Sequence, residues 1–390
     1  MKIIDTPDLR QFRDECRAWL ADNVPRGARP KDGQALRDFD LAWQAAQYRG
    51  GWAGVSWPQE YGGRGLSLLE QLVWHEEYAR ADAPQSKSMF VALSHAGPTL
   101  INEGTDAQKS RHLPAILKGE ENWCQGFSEP GAGSDLTSLK CRAVADGDEL
   151  VVNGTKIWTS YGHLADWQEL LVRTDPDSVR HRGISWVICD MRSPGIEVRP
   201  IRTMSGVSHF AQVFYDDVRI PISNVVGEID GGWRVAMTTL GFERGTGTVA
   251  HQVELARTVD ELVEIARTPG VDGVAPITDG AVAAQLATLV AEVAALRSLT
   301  VAQISRGLSE AVPGAEGNIV ALYFGELTRR VHAAAIDILG ATAIERDADR
   351  DWPMRYLESF KWAIGGGTSE IRRNAIGERV LGLPKGPQAR

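Results

Sequence analysis

The hydrophobic pattern of the chain changes its period twice. Residues 6–121 repeat apolar positions at helical spacing, most clearly over 8–23 and 69–81. Beyond residue 121 the apolar residues form short β-branched runs between turn residues, and from residue 232 the helical spacing returns. This order predicts an α+β chain with an N-terminal α-helical domain over 1–121, a middle β-barrel-like domain over 122–231 and a C-terminal four-helix bundle over 232–390.

Five short runs predict the strands of the middle domain. The first two flank Asn153-Gly154, a pair preferred in two-residue hairpin turns, so we expect a tight hairpin at that point. The predicted strands cover residues 149–152, 156–158, 184–189, 196–199 and 211–215.

Four helical stretches predict the bundle, at residues 233–267, 280–307, 317–339 and 369–381. The Ala and Leu spacing over 283–296 indicates bundle core. No apolar run approaches the roughly 20 residues of a membrane span, so we expect neither a transmembrane segment nor a membrane partner.

Composition narrows the class of protein. A length of 390 residues exceeds what one hydrophobic core usually serves. The net charge of −9 argues against nucleic acid or an anionic membrane as partner and favours small molecules or proteins. Four scattered cysteines and a start unlike a signal peptide predict the reducing cytoplasm, and the absence of HExxH or a Cys/His cluster predicts no metal site.

Glu243 stands among small and apolar residues. On a helix it shares a face with Ala236 and Leu240, so its carboxylate is expected to point toward apolar neighbours. Desolvation raises the pKa of a carboxylic acid, which suits a general base for a weak carbon acid. The alternative is a structural ion pair, with Arg244 or Arg234 as the partner.

A glycine-rich loop opens the middle domain over residues 127–135. Gly131 and Gly133 lie among hydroxyl side chains, so backbone N–H groups could face an acceptor-rich ligand; an ordinary Pro-Gly turn is the alternative. Trp158-Thr159-Ser160 adds a flat ring and two hydroxyls that could contact a planar ligand. Neither the dinucleotide-binding nor the P-loop glycine pattern is present.

At these motifs the chain resembles the acyl-CoA dehydrogenase family, and the resemblance covers nearly all of it. The order of an α, a β and a four-helix part is similar. The matching segments are WPQEYGG at 57–63, GTDAQK at 104–109, SEPGAGSD at 128–135, NGTKIWTS at 153–160 and GTSEI at 367–371.

The resemblance implies FAD as cofactor and α,β-dehydrogenation of an acyl-CoA. A carboxylate removes the α proton, the β hydride moves to the flavin, and an electron-transferring flavoprotein receives the electrons. Carried over by position, the resemblance implies that the flavin ring is contacted by Phe127, Ser128, Trp158 and Ser160. Gly133 and Ser134 would line the flavin and substrate passage. Thr368 and Glu370 would lie toward the adenosine end of FAD.

The chain departs from the family at Gly366. Many members carry their catalytic Glu at this position, whereas a second group places it directly before an Arg on the first bundle helix, as in Glu243-Arg244. The resemblance therefore implies Glu243 as base and the backbone N–H of Gly366 as a donor to the thioester oxygen. Arg244 resembles the Arg that supports CoA-ester binding, with an ion pair on the bundle as the alternative.

Two features that serve a neighbouring subunit's FAD in the family are missing. No Arg-x-x-Phe-Gly segment occurs over 268–280, and Asp337 stands where a Gln usually contacts the neighbouring FAD. An Asp near a pyrophosphate repels it. Either a sister subunit supplies these groups in a hetero-oligomer (α2β2), which we favour, or the chain is a homotetramer with weak or absent FAD binding.

The function expected from these residues is the FAD-dependent conversion of an acyl-CoA to its trans-2-enoyl-CoA. Small residues beside the base, Gly241, Gly245 and Gly247, leave room for a bulky, branched or steroid-derived acyl group, although they could equally serve helix packing. One alternative is a non-catalytic or regulatory subunit of a hetero-oligomer. Another is a flavin enzyme of this fold that uses oxygen.

Overall fold

A computed structural model describes residues 6–242, 248–270, 273–307, 315–344 and 351–386. By packing, the chain divides into two compact units, and each is described by itself. The bundle unit comprises Met1–Ala18, Leu68–Asp82 and Arg244–Arg390, and the sheet unit comprises Trp19–Ser67 and Ala83–Glu243. The domain boundaries given above stay a prediction.

Two of the helices that precede the sheet begin at the side-chain caps of Asp32 and Thr105. Asp32 accepts a hydrogen bond from the Gly33 N–H, and Thr105 and Gln108 form a reciprocal capping box. The predicted helices at residues 8–23 and 69–81 are confirmed. The helices are α1 (Pro7–Asn23), α2 (Gly33–Arg49), α3 (Leu68–Arg80), α4 (Gly97–Glu103) and α5 (Asp106–Lys118).

Eight strands form one mixed sheet in the order β6-β7-β3-β2-β4-β5-β8, with β1 beside β4. β1 and β2 both run parallel to β4, and the other neighbours are antiparallel. β5 is buried on both faces, because Trp186 faces one hydrophobic core and Val187 another. The strands are β1 (Trp123–Gly126), β2 (Arg142–Asp146), β3 (Glu149–Ser160), β4 (Trp167–Arg173), β5 (Ile184–Asp190), β6 (Ile196–Ile201), β7 (Phe210–Pro221) and β8 (Val225–Val226).

The predicted hairpin at Asn153-Gly154 is wrong. β3 runs through both residues and pairs with β2 on one side and β7 on the other. The Asn153 side chain donates to Asp217 Oδ1 at 2.9 Å and accepts from the Asp217 N–H at 3.0 Å, so it joins two strands. The chain instead reverses at Gly147-Asp148, between β2 and β3.

Gly154 serves a close contact between strands. The register of β3 against β7 shifts at this point, which marks a β-bulge. A Cβ on Gly154 would lie 2.7 Å from the Cα of Cys141, so only glycine fits without a shift of the backbone.

The C-terminal part is helical, as predicted. α6 (Gly232–Phe242) belongs to the sheet unit, and residues 243–247, inside the predicted stretch 233–267, lie outside the described residues. In the bundle unit Leu262, Leu296 and Leu327 form the core. The further helices are α7 (Thr248–Arg267), α8 (Gly280–Gly307), α9 (Gly317–Leu339), α10 (Trp352–Ser359) and α11 (Ser369–Ala375).

The sequence pattern did not predict α10. Its start nevertheless carries a signal, because the Asp351 carboxylate caps the Met354 N–H at 3.3 Å and Pro353 lies in the first turn. With α10 added, the predicted succession of helical, β and helical parts is confirmed.

α8 corrects the expectation that no apolar run approaches a membrane span. Residues Gly280–Arg306 form 27 residues whose most apolar window has a mean hydropathy of 1.4, enough to cross a bilayer by length and composition alone. Only 17% of that window is buried. One face of α8 packs into the core through Leu286, Leu289 and Leu296, and the exposed face, here the α8 apolar face, carries Ala284, Ala287, Val290, Ala291 and Ala294.

Two adjacent acids of α3 join three helices of the bundle unit. Glu76 and Glu77 are both buried, and each forms an ion pair with Arg13 of α1. Arg17 donates to Glu77 at 2.7 Å, and Arg297 of α8 pairs with Glu76. Burial alone would raise the pKa of Glu77, but the hydrogen bonds from Arg17 and Arg13 outweigh it and hold that pKa below its ordinary value.

Candidate functional site

The glycine-rich loop predicted to contact a flavin follows directly from β1. Glu129 and Ala132 exchange backbone hydrogen bonds at 2.9 and 3.0 Å, which closes a tight turn. Phe127 is buried at the base of the loop, whereas Gly133 and Ser134 are exposed. A Cβ added at Gly133 would meet open space, so this side of the loop leaves room for a ligand.

A buried ion pair fixes the loop to β3. Lys156 has 0% of its surface exposed, and its ammonium donates to Glu129 Oε1 at 2.8 Å and to the Phe127 carbonyl at 3.0 Å. Glu129 also accepts from the N–H groups of Lys140 at 2.7 Å and Cys141 at 2.8 Å. Each charge thus meets several partners, as buried charges require.

Trp158 is held in an unusual backbone conformation beside this loop. Its φ is +61°, in the left-handed region, where the register of β3 against β7 shifts again. The indole stays 56% exposed, with only an edge contact to Phe210 at 6.0 Å between ring centroids. Because Ile157 N–H donates to the Ser128 carbonyl at 2.9 Å, the loop and Trp158 lie together. Residues held in sparsely populated backbone conformations cluster at ligand and active sites.

The other predicted site residues lie in the bundle unit, just before α11. Gly366 and Gly367 have φ values of +65° and +107°, which favour glycine at both positions. Thr368 caps α11 by accepting from the Ile371 N–H at 3.3 Å. Hydrogen bonds from its own N–H and from Thr368 lower the pKa of Glu370, which lies exposed in the first turn.

Glu243 and Arg244 lie outside the described residues, but the helix that leads to them is described. On α6, Ala236 is fully buried and Leu240 packs against the core of the sheet unit. Arg234 donates to Glu103 Oε2 at 2.5 Å, so this arginine, one alternative partner of Glu243, already has a carboxylate partner.

Comparison with known proteins identifies the family. Three family models match in order along the chain: the acyl-CoA dehydrogenase N-terminal domain at residues 6–120, the middle domain at 124–218 and the C-terminal domain at 230–381. The chain belongs to the acyl-CoA dehydrogenase family. The predictions of this family and of an acyl-CoA dehydrogenase oxidoreductase are confirmed.

Individual acyl-CoA dehydrogenases match over nearly their whole length. The acyl-CoA dehydrogenase IpdE1 of Mycobacterium tuberculosis (strain ATCC 25618 / H37Rv) is 40% identical over 388 residues, covering 97% of this chain and 98% of IpdE1. The solved Tcur3481-Tcur3483 steroid ACAD is 33% identical with a TM-score of 0.86, over 99% and 100% of the two chains. The ChsE4-ChsE5 complex from Mycobacterium tuberculosis is 31% identical with a TM-score of 0.84, over the same shares.

The flavin contacts predicted in the sheet unit leave room for a flat ring such as isoalloxazine. The loop at Phe127 and Ser128 is anchored, its glycines face open space, and Trp158 offers an exposed ring face. Ser160 ends β3 opposite Phe210. The sequence did not single out Glu129 and Lys156 as a pair. The signal was a lysine in the same alternation as Leu150 and Val152, which marks the buried face of β3.

The bundle unit lacks the residues that the resemblance leads us to expect at the FAD of a neighbouring subunit. Asp337 is exposed in the last turn of α9, where the family's Gln is expected, and no arginine occurs over 268–280. A carboxylate there opposes binding of a pyrophosphate.

Proposed function

We propose that this chain is the base-carrying subunit of an FAD-dependent acyl-CoA dehydrogenase that forms the trans-2-enoyl-CoA. The acyl group is proposed to be bulky, of the steroid-derived class, because the similar Tcur3481-Tcur3483 protein is a steroid ACAD. An electron-transferring flavoprotein is the proposed electron acceptor.

The proposal rests above all on Gly366. A backbone N–H at this position keeps the donor to the thioester oxygen, while the missing side chain removes the carboxylate that many family members carry there. Glu243 is then the carboxylate that matches a family position for the base.

The chain's own residues divide the work of the reaction. Glu243 accepts the proton from the α carbon, and Gly366 N–H stabilises the negative charge that develops on the thioester oxygen. Phe127, Ser128, Trp158 and Ser160 are proposed to hold the flavin ring, with Thr368 and Glu370 toward its adenosine end. Gly133, Ser134 and Arg244 are proposed to contact the CoA ester. FAD, when bound, supplies the acceptor for the β hydride.

A sister subunit of the same family is the proposed partner. Asp337 and the region 268–280 do not provide the contacts expected for the FAD of a neighbouring subunit. A second, different chain is therefore needed to complete the FAD site. The α8 apolar face offers such a chain a surface that is unburied among the described residues. ChsE4-ChsE5 shows that a similar chain can form a complex of two named subunits.

Anaerobic bleaching of the flavin by acyl-CoA esters tests the proposal. The protein, expressed alone and together with a candidate sister subunit of the same family, is mixed with straight-chain, branched and steroid-derived esters. We expect a yellow complex only on co-expression, bleached best by a bulky ester. Glu243→Gln should keep the flavin and abolish bleaching.

Two outcomes contradict the proposal. Unchanged bleaching in Glu243→Gln would remove this residue as base, and a fully flavinylated, active homotetramer would remove the need for a sister subunit. A complex that binds flavin but is bleached equally with and without Glu243 would favour the alternative, a non-catalytic or regulatory subunit, to which the missing FAD contacts also point.

A further inference from the structure

Arg372 lies beneath the glycine loop before α11. Only 8% of this residue is exposed, although arginine is rarely buried without partners. Its guanidinium donates to three backbone carbonyls, those of Gly365 at 2.8 Å, Trp362 at 3.0 Å and Ala321 at 3.2 Å. The fork of the guanidinium therefore ties the loop to α9.

The Gly365 carbonyl and the Gly366 N–H belong to one peptide unit. The described residues contain no cis peptide bond, so this unit is trans and its oxygen and hydrogen point to opposite sides. A hydrogen bond that fixes the oxygen therefore also fixes the direction of the N–H. Among the described residues, the Gly366 N–H has no hydrogen-bond acceptor, and Gly366 is exposed.

We infer that Arg372 is a positioning residue for the reaction: it aims and polarises the Gly366 N–H toward the thioester oxygen. This inference rests on the proposed function. A charge-assisted hydrogen bond to the carbonyl polarises the peptide and makes its N–H a stronger donor. Because the guanidinium is fixed before substrate binds, the donor needs no reorganisation when charge develops on the thioester oxygen.

The backbone around Arg372 is packed to hold this arrangement. A Cβ on Gly325 of α9 would lie 2.5 Å from the Trp362 carbonyl oxygen, so the segment before the glycine loop lies directly against α9. The Gly365 N–H also donates to the Lys361 carbonyl at 2.9 Å. Arg372 thus acts on a peptide whose neighbours are already fixed.

Arg373, the next residue, offers a matched control. Its side chain is 53% exposed and pairs with Glu326 at 2.5 Å, so it shares the helix and the charge of Arg372 without contacting the glycine loop carbonyls. Arg372→Lys is the conservative variant, because an ammonium keeps the charge but cannot present a planar fork to three carbonyls.

The test uses the co-purified complex and two measurements. The first is kcat and KM with the ester that bleaches the wild-type flavin best. The second is the acidity of the 3-oxo analogue of that ester when bound, from a pH titration of its enolate absorbance. The saturated ester's affinity and the flavin content report whether the site is otherwise intact.

Arg372→Met is expected to lower kcat by roughly 10- to 100-fold with KM changed less than about threefold, because only a contact made in the transition state is weakened. The bound 3-oxo analogue should become about tenfold less acidic, which is about one pKa unit. Arg372→Lys should fall between Arg372→Met and wild type, and Arg373→Met should match wild type.

Wild-type acidity of the bound 3-oxo analogue in a folded Arg372→Met complex would overturn the inference and leave Arg372 a purely structural residue. If that variant does not fold, Arg372→Lys decides by the same two measurements. The proposed function is judged separately: if Glu243→Gln retains bleaching, the proposed base is wrong whatever the Arg372 variants do.

Discussion

The Lys156 ammonium and the Glu129 carboxylate are buried together beneath the glycine-rich loop. Removing two charges from water is costly, and the pair stays bound because the Phe127 carbonyl and two backbone N–H groups complete its hydrogen bonds. The pair is therefore better understood as a device that fixes the loop than as a large source of stability.

Breaking this pair at one side should be costly. Lys156→Met leaves Glu129 as a buried unpaired charge, and we expect the free energy of unfolding in urea to fall by about 3–5 kcal/mol. The double variant Lys156→Met/Glu129→Gln should lose less than the two single variants together, because no uncompensated charge remains. Flavin retention should fall in all three.

An exposed ion pair gives the control for this cycle. Arg219 bonds Glu149 at 2.7 Å on the surface, so Arg219→Met should leave the free energy of unfolding nearly unchanged. A cost below about 1 kcal/mol for Lys156→Met would show that the Glu129 charge is relieved in another way, and the proposed anchoring would be wrong.

At the scale of single residues, the sequence indicates the reacting groups better than the residues that hold those groups in place. Glu243 and the 127–135 loop stand out by local pattern, and Gly366 stands out by its departure from the family motif. Arg372 and Lys156 do not, because their partners are backbone carbonyls and a carboxylate brought near by folding. The left-handed backbone of Trp158 was equally hidden, since a tryptophan in a strand pattern normally indicates packing.

Among the elements, α3 carries two adjacent buried carboxylates, Glu76 and Glu77. These acids pair with arginines of α1 and α8 and with Arg80 of α3 itself. Such a network links the stability of the bundle unit to pH.

Glu77 should contribute to acid denaturation. Its pKa is held below the ordinary value of 4.5, so its stabilising effect is fully present above about pH 4.5 and is lost as pH falls through the folded-state pKa. Glu77→Gln should lower stability at pH 7 and flatten the loss of stability between pH 5 and pH 3, measured as urea midpoints.

The exposed pair of Glu197 and Arg199 provides the comparison for the acid series. Glu197→Gln should leave both the pH 7 midpoint and the acid slope nearly unchanged, because exposed pairs contribute little. An acid slope for Glu77→Gln as steep as that of wild type would assign acid denaturation to other groups.

Hydrophobic periodicity predicted the long helices correctly but missed a short helix, and a local turn preference misled the prediction of one strand. Long amphipathic helices such as α1 and α3 follow from the spacing of their apolar residues. The Asn-Gly pair in β3 misled because turn preference is local, whereas two neighbouring strands required an extended chain with a bulge. α10 was missed because it spans only eight residues, too few for a clear period.

At the scale of the whole molecule, the α8 apolar face is the feature that a chain by itself does not explain. Among the described residues only 17% of the most apolar window of α8 is buried, and contiguous exposed apolar surface is typical of an interaction site. The proposed sister subunit gives this surface an occupant.

A charge placed on this face should prevent assembly without unfolding the chain. Val290 is 46% exposed, so Val290→Glu should change the free energy of unfolding by less than about 1 kcal/mol, as surface substitutions usually do. On size exclusion the co-expressed complex should dissociate, and the flavin should be lost with it. Retention of the full complex would place the interface elsewhere.

Asp279 is exposed and directly precedes α8, so a change of charge at this residue lies outside the α8 apolar face. Its carboxylate caps α8 by accepting from the Ala281 N–H at 2.7 Å, and Asp279→Asn removes the charge, keeps the cap and should leave the complex intact. Which surface the partner covers could not be predicted from the sequence, because the spacing of Ala and Leu is the same for bundle core and for an interface.

With the proposed sister subunit as its occupant, the α8 apolar face would also tie the lifetime of the chain to the rate at which that subunit is made. A newly folded copy without that subunit presents an extended apolar surface of the kind on which chaperones and proteases act. Copies made in excess would be cleared, and the steady amount of enzyme would follow the scarcer of the two subunits.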